Sequence, residues 1–301
     1  MLGSLKYLAV DPPPLLVFEI SEQAVAGVRR NTRTFEVEAA SVRDLAPGVI
    51  EAASGKSNIL RPDEFGAAVR SVLEAIRLPR RPDTALILPD ASSRLTVLDF
   101  DELPGDAKER LRLIRFRLKK AVPFDVETAK IAYQTAPTAN GVSVLVAVTP
   151  AEIVRQYETP FAEAGLWPGF VSLSTAASLN LVPTGEMTLF AKLAGHSLTM
   201  AAVANDVVRM VRCVDLPAGT DLGGRKALDE ILRDLYPTFV FVNDNFGTPV
   251  SQLVLCGFEE VVSDAAARLP AELGCKVEAL RGPQGAVGGL EAGIWGYLSM
   301  N

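Results

Sequence analysis

Apolar and polar positions follow a sheet-like period over the first stretch of the chain. "LLVFEI" (15–20), "QAVAGVRR" (23–30) and "TFEVEAASV" (34–42) show alternation or β-branched content between short polar turns, which predicts three strands. The period then changes. "RPDEFGAAVRSVLEAIRL" opens with Pro and two acids and sets Phe65, Val69, Val72, Leu73 and Ile76 on one face, which predicts a helix. "TALILP" is a short, continuously apolar run, as a buried strand requires. The same order returns later. "MTLFAKLA", "SLTMAAVAN" and "VVRMVRCVDL" predict three strands joined by turns at Gly195-His196 and Asn205-Asp206. A helix interrupted at Pro237 follows, and then the buried strand "SQLVLCG". Two copies of one unit, without evident residue identity, predict a duplicated α/β architecture.

Between the copies lies an insertion-like block at about 90–148. It reads as strand "RLTVLDF", a basic helix, and strands "AKIAYQT" and "VSVLVAV". "PAEIVRQYETPFAEAG", stopped at Gly165, and "LSTAASLNL" are helices leading back to the first unit. The chain closes with strand "KVEAL" and a small-residue helix, "GAVGGLEAGIWGYL", whose glycines allow close packing. In the basic helix, Asp106 and Glu109 form a capping box, and "VPFD" ends the helix because Pro disfavours helical geometry in the residue before it. Leu111, Ile114, Leu118 and Ala121 make an apolar stripe, with Lys108, Arg112, Arg115 and Lys119 beside it. The basic stripe reads most simply as a solvated face.

Composition narrows the function. The formal charge of −6 opposes general binding to nucleic acid, which rests on neutralising phosphates. With 49% hydrophobic and 22% charged residues the chain is that of an ordinary folded protein, and its apolar runs fall far short of a membrane span. The N-terminal apolar stretch is broken by Asp11 and Pro12 to Pro14, so it is not read as a signal peptide, and a cytoplasmic location is expected. Cys213, Cys256 and Cys275 contain no C-x-x-C pair and are read as reduced, mostly buried thiols; no metal site is expected. His196, the single histidine, sits in a predicted turn and is read as solvated.

Familiar catalytic motifs fail. "SGKS" (54–57) lacks the glycine a phosphate-binding loop needs, since Ile50 stands in its place, and no G-x-G-x-x-G precedes a helix. Asp90, Asp101, Asp215 and Asp221 have no spacing that pairs an acid with a base and are read as solvated turn residues.

The block "TALILPDASSRLTVLDFDELPGDAKERLRLIRFRLKKAVPFDVETAKIAYQT" resembles the PilM family of type IV pilus assembly proteins, in which a strand ending in Leu-Pro leads to a helix finishing in a Pro-Phe element. "VSVLVAVTPAEIVRQYETPFAEAGLWPGFVSLSTAASLNL" and "VSQLVLCGFEEVVSDAAARLPAELGCKVEAL" continue the similarity over nearly the whole chain. The resemblance implies an actin-like fold of two duplicated RNase H-like domains around a nucleotide cleft. The first spans 1–185 with the inserted subdomain; the second spans 186–301, with a reduced outer subdomain at about 224–248. Related clefts use Asp-x-Gly turns to receive phosphate and metal. Here Glu19 and Ser21 align with the first turn, followed by Glu22 and Gln23, and Lys192 and Ala194 align with the second. Gly257 and Phe258 align with the Gly-Gly step on the adenosine side, which sets a ring where backbone approaches the base.

All three elements depart from the pattern. The reading is therefore a scaffold, not an enzyme, with no cofactor, in a type IV pilus or type II secretion-like assembly platform. The resemblance implies a cytoplasmic location for the chain, peripheral at the inner face of the inner membrane. The resemblance implies that it holds the N-terminal peptide of a PilN-like inner-membrane protein alongside other platform proteins. The candidate wall is Ile114, Arg115, Phe116, Val122, Pro123 and Phe124, residues that serve equally well as subdomain core. The alternatives are an ATP-binding actin-like ATPase or small-molecule kinase, in which Lys192 meets phosphate, and a filament-forming cell-division scaffold.

Overall fold

The most continuously apolar runs of the chain become the inner strands of two sheets, because only a strand covered on both faces keeps every side chain from water. The computed structural model describes residues 13–31, 33–34, 36–77, 83–217, 227–258, 262–283 and 285–300. In chain order the first elements are β1 (Leu16–Ile20), β2 (Ala24–Arg30), β3 (Val37–Asp44), α1 (Pro62–Ile76), β4 (Asp83–Leu88), β5 (Arg94–Phe100), α2 (Ala107–Leu118), β6 (Ala129–Thr138) and β7 (Gly141–Pro150). Next come α3 (Ala151–Glu163), β8 (Trp167–Leu173), α4 (Ser174–Ser178), β9 (Thr188–Ala194), β10 (Ser197–Ala204) and β11 (Val207–Asp215). The last are α5 (Ala227–Asn245), β12 (Gln252–Cys256), α6 (Val262–Leu273), β13 (Lys276–Ala279) and α7 (Ala292–Leu298).

One sheet has the order β3-β2-β1-β4-β8 and the other β11-β10-β9-β12-β13. In each, the first three strands form an antiparallel meander and the last two join in parallel. The two sheets are topological copies, as the repeated element order predicts. β5, β7 and β6 make a third, antiparallel sheet in the insertion, and α2 covers one face of it with Ile114 and Leu118 against Phe100, Val144, Val146 and Val148.

Each large sheet is buried on both faces. Leu16, Phe18 and Ile20 meet Phe65, Val69 and Val72 of α1 and Tyr157 and Phe161 of α3. On the opposite face Val17, Ala85 and Ile87 meet Ala177 of α4 and Ile294 and Tyr297 of α7. In the second copy Leu189, Ala191 and Leu193 pack with Leu228, Ile231 and Leu235 of α5, while Phe190 and Val254 pack with Ala292. α7 thus contributes Ala292 to one domain's core and Ile294 to the other's, and acts as a wedge between them.

Local signals act where expected. Asp106 caps α2, accepting from the backbone amides of Lys108 and Glu109. Gly165, at φ +78°, ends α3 in a left-handed turn whose amide bonds reach back to Ala162, followed by Leu166 reaching Phe161. Four expectations need correction. β8 was hidden because "WPGFVSL" carries Pro and Gly, yet it forms the outer strand of the first sheet, where a missing amide is tolerated. α5 runs on through Pro237; the proline faces solvent, and the Thr238 hydroxyl donates to the Asp234 carbonyl one turn back (3.1 Å). α2 stops at Leu118, before "VPFD", and Ala121 is exposed, while Lys119 and Arg115 pair with Glu127 just before β6. The closing helix is shorter than the small-residue run.

The glycines of α7 have the predicted use. A Cβ at Gly296 would overlap the Ala177 carbonyl of α4, whereas one at Gly105 would meet nothing within 4 Å. Gly296→Ala is therefore expected to cost about 3 kcal/mol, and Gly105→Ala to stay within about 0.5 kcal/mol of the parent, in paired urea unfolding curves.

Candidate functional site

The β1–β2 and β9–β10 turns are equivalent in the two copies, and they face each other. Ser21 closes the first turn on itself: its hydroxyl accepts from the amides of Gln23 (3.1 Å) and Ala24 (3.0 Å). Glu22 accepts from the Ala52 amide through Oε1 (2.7 Å), and its Oε2 would lie 3.3 Å from a Cβ placed on Gly195 in the second turn. A carboxylate thus fills the gap between the turns, where a phosphate would need donors. Ala194 is half-buried and supplies no polar side chain.

Below the turns the structure gathers a buried ionic group from both domains. Period-two alternation along β1 puts Glu19 on the same face as Val17, toward α7, and the residue is 2% exposed. Its Oε1 accepts from the Ser174 hydroxyl, and its Oε2 accepts from the Ile294 amide (3.0 Å). Gly293 makes this possible, since a Cβ there would come within 2.9 Å of Glu19 Oε1. Lys192, in the middle strand of the second sheet, is equally buried and reaches across with Nζ 3.4 Å from Asp90 Oδ2. Asp90 also accepts from the Thr175 amide (2.8 Å) and hydroxyl (2.7 Å).

One ammonium faces two buried carboxylates, which favours the retention of a proton on one of them. Burial is the largest influence on Glu19 and pushes its carboxyl up to about 7; the Lys192 charge and the bonds from Ser174 and Ile294 oppose that push only in part. For Lys192, burial works to lower the pKa, but the attraction of Asp90, Glu19 and Cys256 outweighs it, and the net direction is upward. The ammonium is therefore held charged.

Asp90 is the principal correction to the sequence reading. It is no solvated turn residue, but lies 6% exposed in a short 3-10 turn, Asp90–Ser92, directly after β4. A signal was available: it stands at the carboxyl end of a buried parallel strand, where α/β sheets place their functional groups. Phe258 is a second correction. Gly257, at φ +77°, turns the chain so that the Phe258 ring enters the core beside Leu193, and Gly257 itself sits against the Leu193 carbonyl and Gly289. Asp221 lies outside the described residues, as does the stretch before Pro13. His196 is exposed, and Lys56 of "SGKS" pairs with Glu51. Among the described residues no group of three or more His, Cys, Asp or Glu side chains is placed to hold a metal ion, and all three cysteines are reduced thiols. No described helix is long and apolar enough to cross a membrane.

The proposed wall residues divide. Ile114 is fully buried in the subdomain core, and Val122 and Phe124 pack partly against it. Phe116 is 68% exposed, and Pro123 is also exposed. Arg115 Nη1 donates to the Glu127 carbonyl (2.9 Å) and pairs with its carboxylate, which Lys119 also meets (2.7 Å); Lys108 and Arg112 remain exposed.

Neither a family model nor a curated protein matches the sequence. By structure the chain is similar to one from a PilM–PilN type IV pilus biogenesis complex, with a TM-score of 0.79 at 18% identity, covering 96% of this chain and 98% of that one. A Bacteroides thetaiotaomicron protein with an actin-like ATPase fold and unknown function follows at 0.54 and 9% identity, over 88% and 89%. The cytoplasmic domain of EpsL, an inner-membrane component of the type II secretion system of Vibrio cholerae, matches at 0.50 and 13% identity over 80% of each chain. With the duplicated sheets, these likenesses establish an actin-like fold.

Glu19 gives the site a pH signature. Its folded pKa lies above the ordinary 4.5, so between about 4.5 and 7 the unfolded chain releases a proton that the folded chain keeps, and stability falls as pH rises. Glu19→Gln is expected to remove a loss of about 3 kcal/mol over that window, read as the difference between parent and variant urea stabilities at a series of pH values. Parallel pH profiles for the two proteins would show that Glu19 does not keep its proton.

Proposed function

We propose that this protein is a non-catalytic scaffold of a type IV pilus or type II secretion-like assembly platform, cytoplasmic and peripheral at the inner face of the inner membrane. In this reading it binds the N-terminal cytoplasmic peptide of a PilN-like inner-membrane protein. The observation that carries the reading is the likeness, over nearly the full length of both chains and including the inserted subdomain, to a protein solved in a PilM–PilN complex.

The state of the cleft supports the non-catalytic part. A nucleotide site needs open backbone amides and an available carboxylate for the metal. Here Ser21 has turned its hydroxyl inward, Glu22 fills the gap between the turns, and Lys192 is committed to Asp90. A lysine that pairs internally no longer serves as a point charge for phosphate. The binding chemistry then falls to apolar surface on the inserted subdomain, with exposed Phe116 and half-buried Phe124 as its aromatic members. The exposed Lys108 and Arg112 lie on the same helix and would face anionic lipid, each adding at most about 1 kcal/mol.

Two measurements test this. Millimolar Mg-ATP is expected to leave the melting temperature unmoved, whereas a ligand at a hundred times its dissociation constant adds about 2.7 kcal/mol of stability. An upward shift that requires both magnesium and the γ-phosphate would overturn the non-catalytic reading. In a titration with the N-terminal peptide of a PilN-like protein, the parent is expected to bind, and Phe124→Ala to weaken binding about tenfold. Arg115→Glu should change affinity little. Loss of binding in Arg115→Glu with normal binding in folded Phe124→Ala would make the site electrostatic instead.

A further inference from the structure

The chain passes between the first domain and the inserted subdomain twice, entering through Asp90 to Ser93 and leaving at the end of β7. The two passages are tied to each other, because the Ser93 and Thr149 hydroxyls are hydrogen-bonded in a buried position. The entering strand is turned tightly: the Ser92 hydroxyl donates to the Pro89 carbonyl (2.6 Å), and the Ser93 amide donates to the Asp90 carbonyl (3.1 Å). A neck of two strands resists stretching more than tilting, so the angle of the subdomain depends on what else holds the neck, which includes Leu95, Leu145 and Ala147 packed with the first domain's core. From the first domain, Thr175 makes two bonds to the Asp90 carboxylate. From the second, Lys192 reaches the same carboxylate, and β11 lies beside β5.

We infer that Lys192 is a positioning residue: by gripping Asp90 at the neck, it lets the second domain set the tilt of the inserted subdomain. Asp90 is held on one side by neutral donors from α4 and on the other by the ammonium, so the neck turn is fixed between two domains as well as by its own short-range bonds. Removing Lys192 is costly because the pair is buried, and loss of one partner leaves the other charge without compensation. The second domain then has a mechanical task even without a ligand of its own. The consequence for partner binding rests on the scaffold reading above; the holding of the neck does not.

Hydrogen–deuterium exchange of the parent and Lys192→Met, read peptide by peptide, tests the inference. Amides at 92–95 and 147–149 are expected to exchange roughly tenfold faster or more in the variant, with β2 and β3 unchanged. Unchanged rates at the neck, or the same acceleration in β2 and β3, would overturn the proposal, since the first shows no grip and the second only general loosening. If Lys192→Met does not fold, the double variant Lys192→Met/Asp90→Asn removes the stranded charge along with the tether, and is measured against the same two outcomes. A peptide titration on the same proteins separates the two readings. Weaker binding to the variant fits both; a parent that binds no peptide overturns the scaffold reading and leaves exchange to decide the neck.

Discussion

A buried ammonium group organises this molecule. Lys192 stands in the middle strand of the second sheet, and its natural partners stand in the first domain, so its charge is tolerable only when the two domains meet in one arrangement. Burying ions costs several kcal/mol each, and attraction repays that cost only if the geometry is good and the remaining lone pairs are bonded. Both conditions have left marks in the sequence. Thr175 and Ser174 supply hydroxyls, Gly293 clears room for the Glu19 carboxyl, and the proton on Glu19 balances the charge. A pairing this demanding is a poor source of stability and a good source of specificity, because an error in domain angle would separate the Lys192 ammonium from the Asp90 carboxylate and leave both charges buried without their counter-charge.

The same group shapes the cleft of this actin-like fold: Lys192 in the second copy is a base whose counter-charge, Asp90, is already inside the protein. Apolar packing then joins the domains around it, with α7 lodged between the sheets and β11 beside the inserted subdomain.

Much of the fold was legible in the pattern. The alternating stretch at 15–20 and the continuous apolar run at 84–88 became inner strands, the 3.6-residue period of 62–76 became a helix with the expected inner face, and the repeated order of elements became two topologically identical sheets. Local capping chemistry was legible too, at Asp106 and Gly165. What periodicity could not give was anything that depends on distant partners. β8 carries Pro and Gly and is a strand only because β4 offers it an edge. Asp90 looks like any turn aspartate until α4 and β9 close over it from 85 and 102 residues away in sequence. The family resemblance singles out Glu19 and Lys192, but the chemistry that joins them is three-dimensional, and the resemblance points to Phe258 as a cleft residue because the left-handed turn at Gly257 is invisible in a one-dimensional pattern.

The wedge helix has a consequence for how the chain is made. Glu19 enters the growing protein early, in the first inner strand, but the backbone amide that satisfies its Oε2 belongs to Ile294, 275 residues later. While the ribosome is still at work, the first domain can assemble its sheet and the helices α1 and α3, yet the face that awaits α7 stays apolar and uncovered, with a carboxyl group at its edge. Until the ribosome has passed Ile294 the nascent chain therefore displays an unfinished surface of the kind that chaperones recognise, and the first domain is completed only after that helix has emerged.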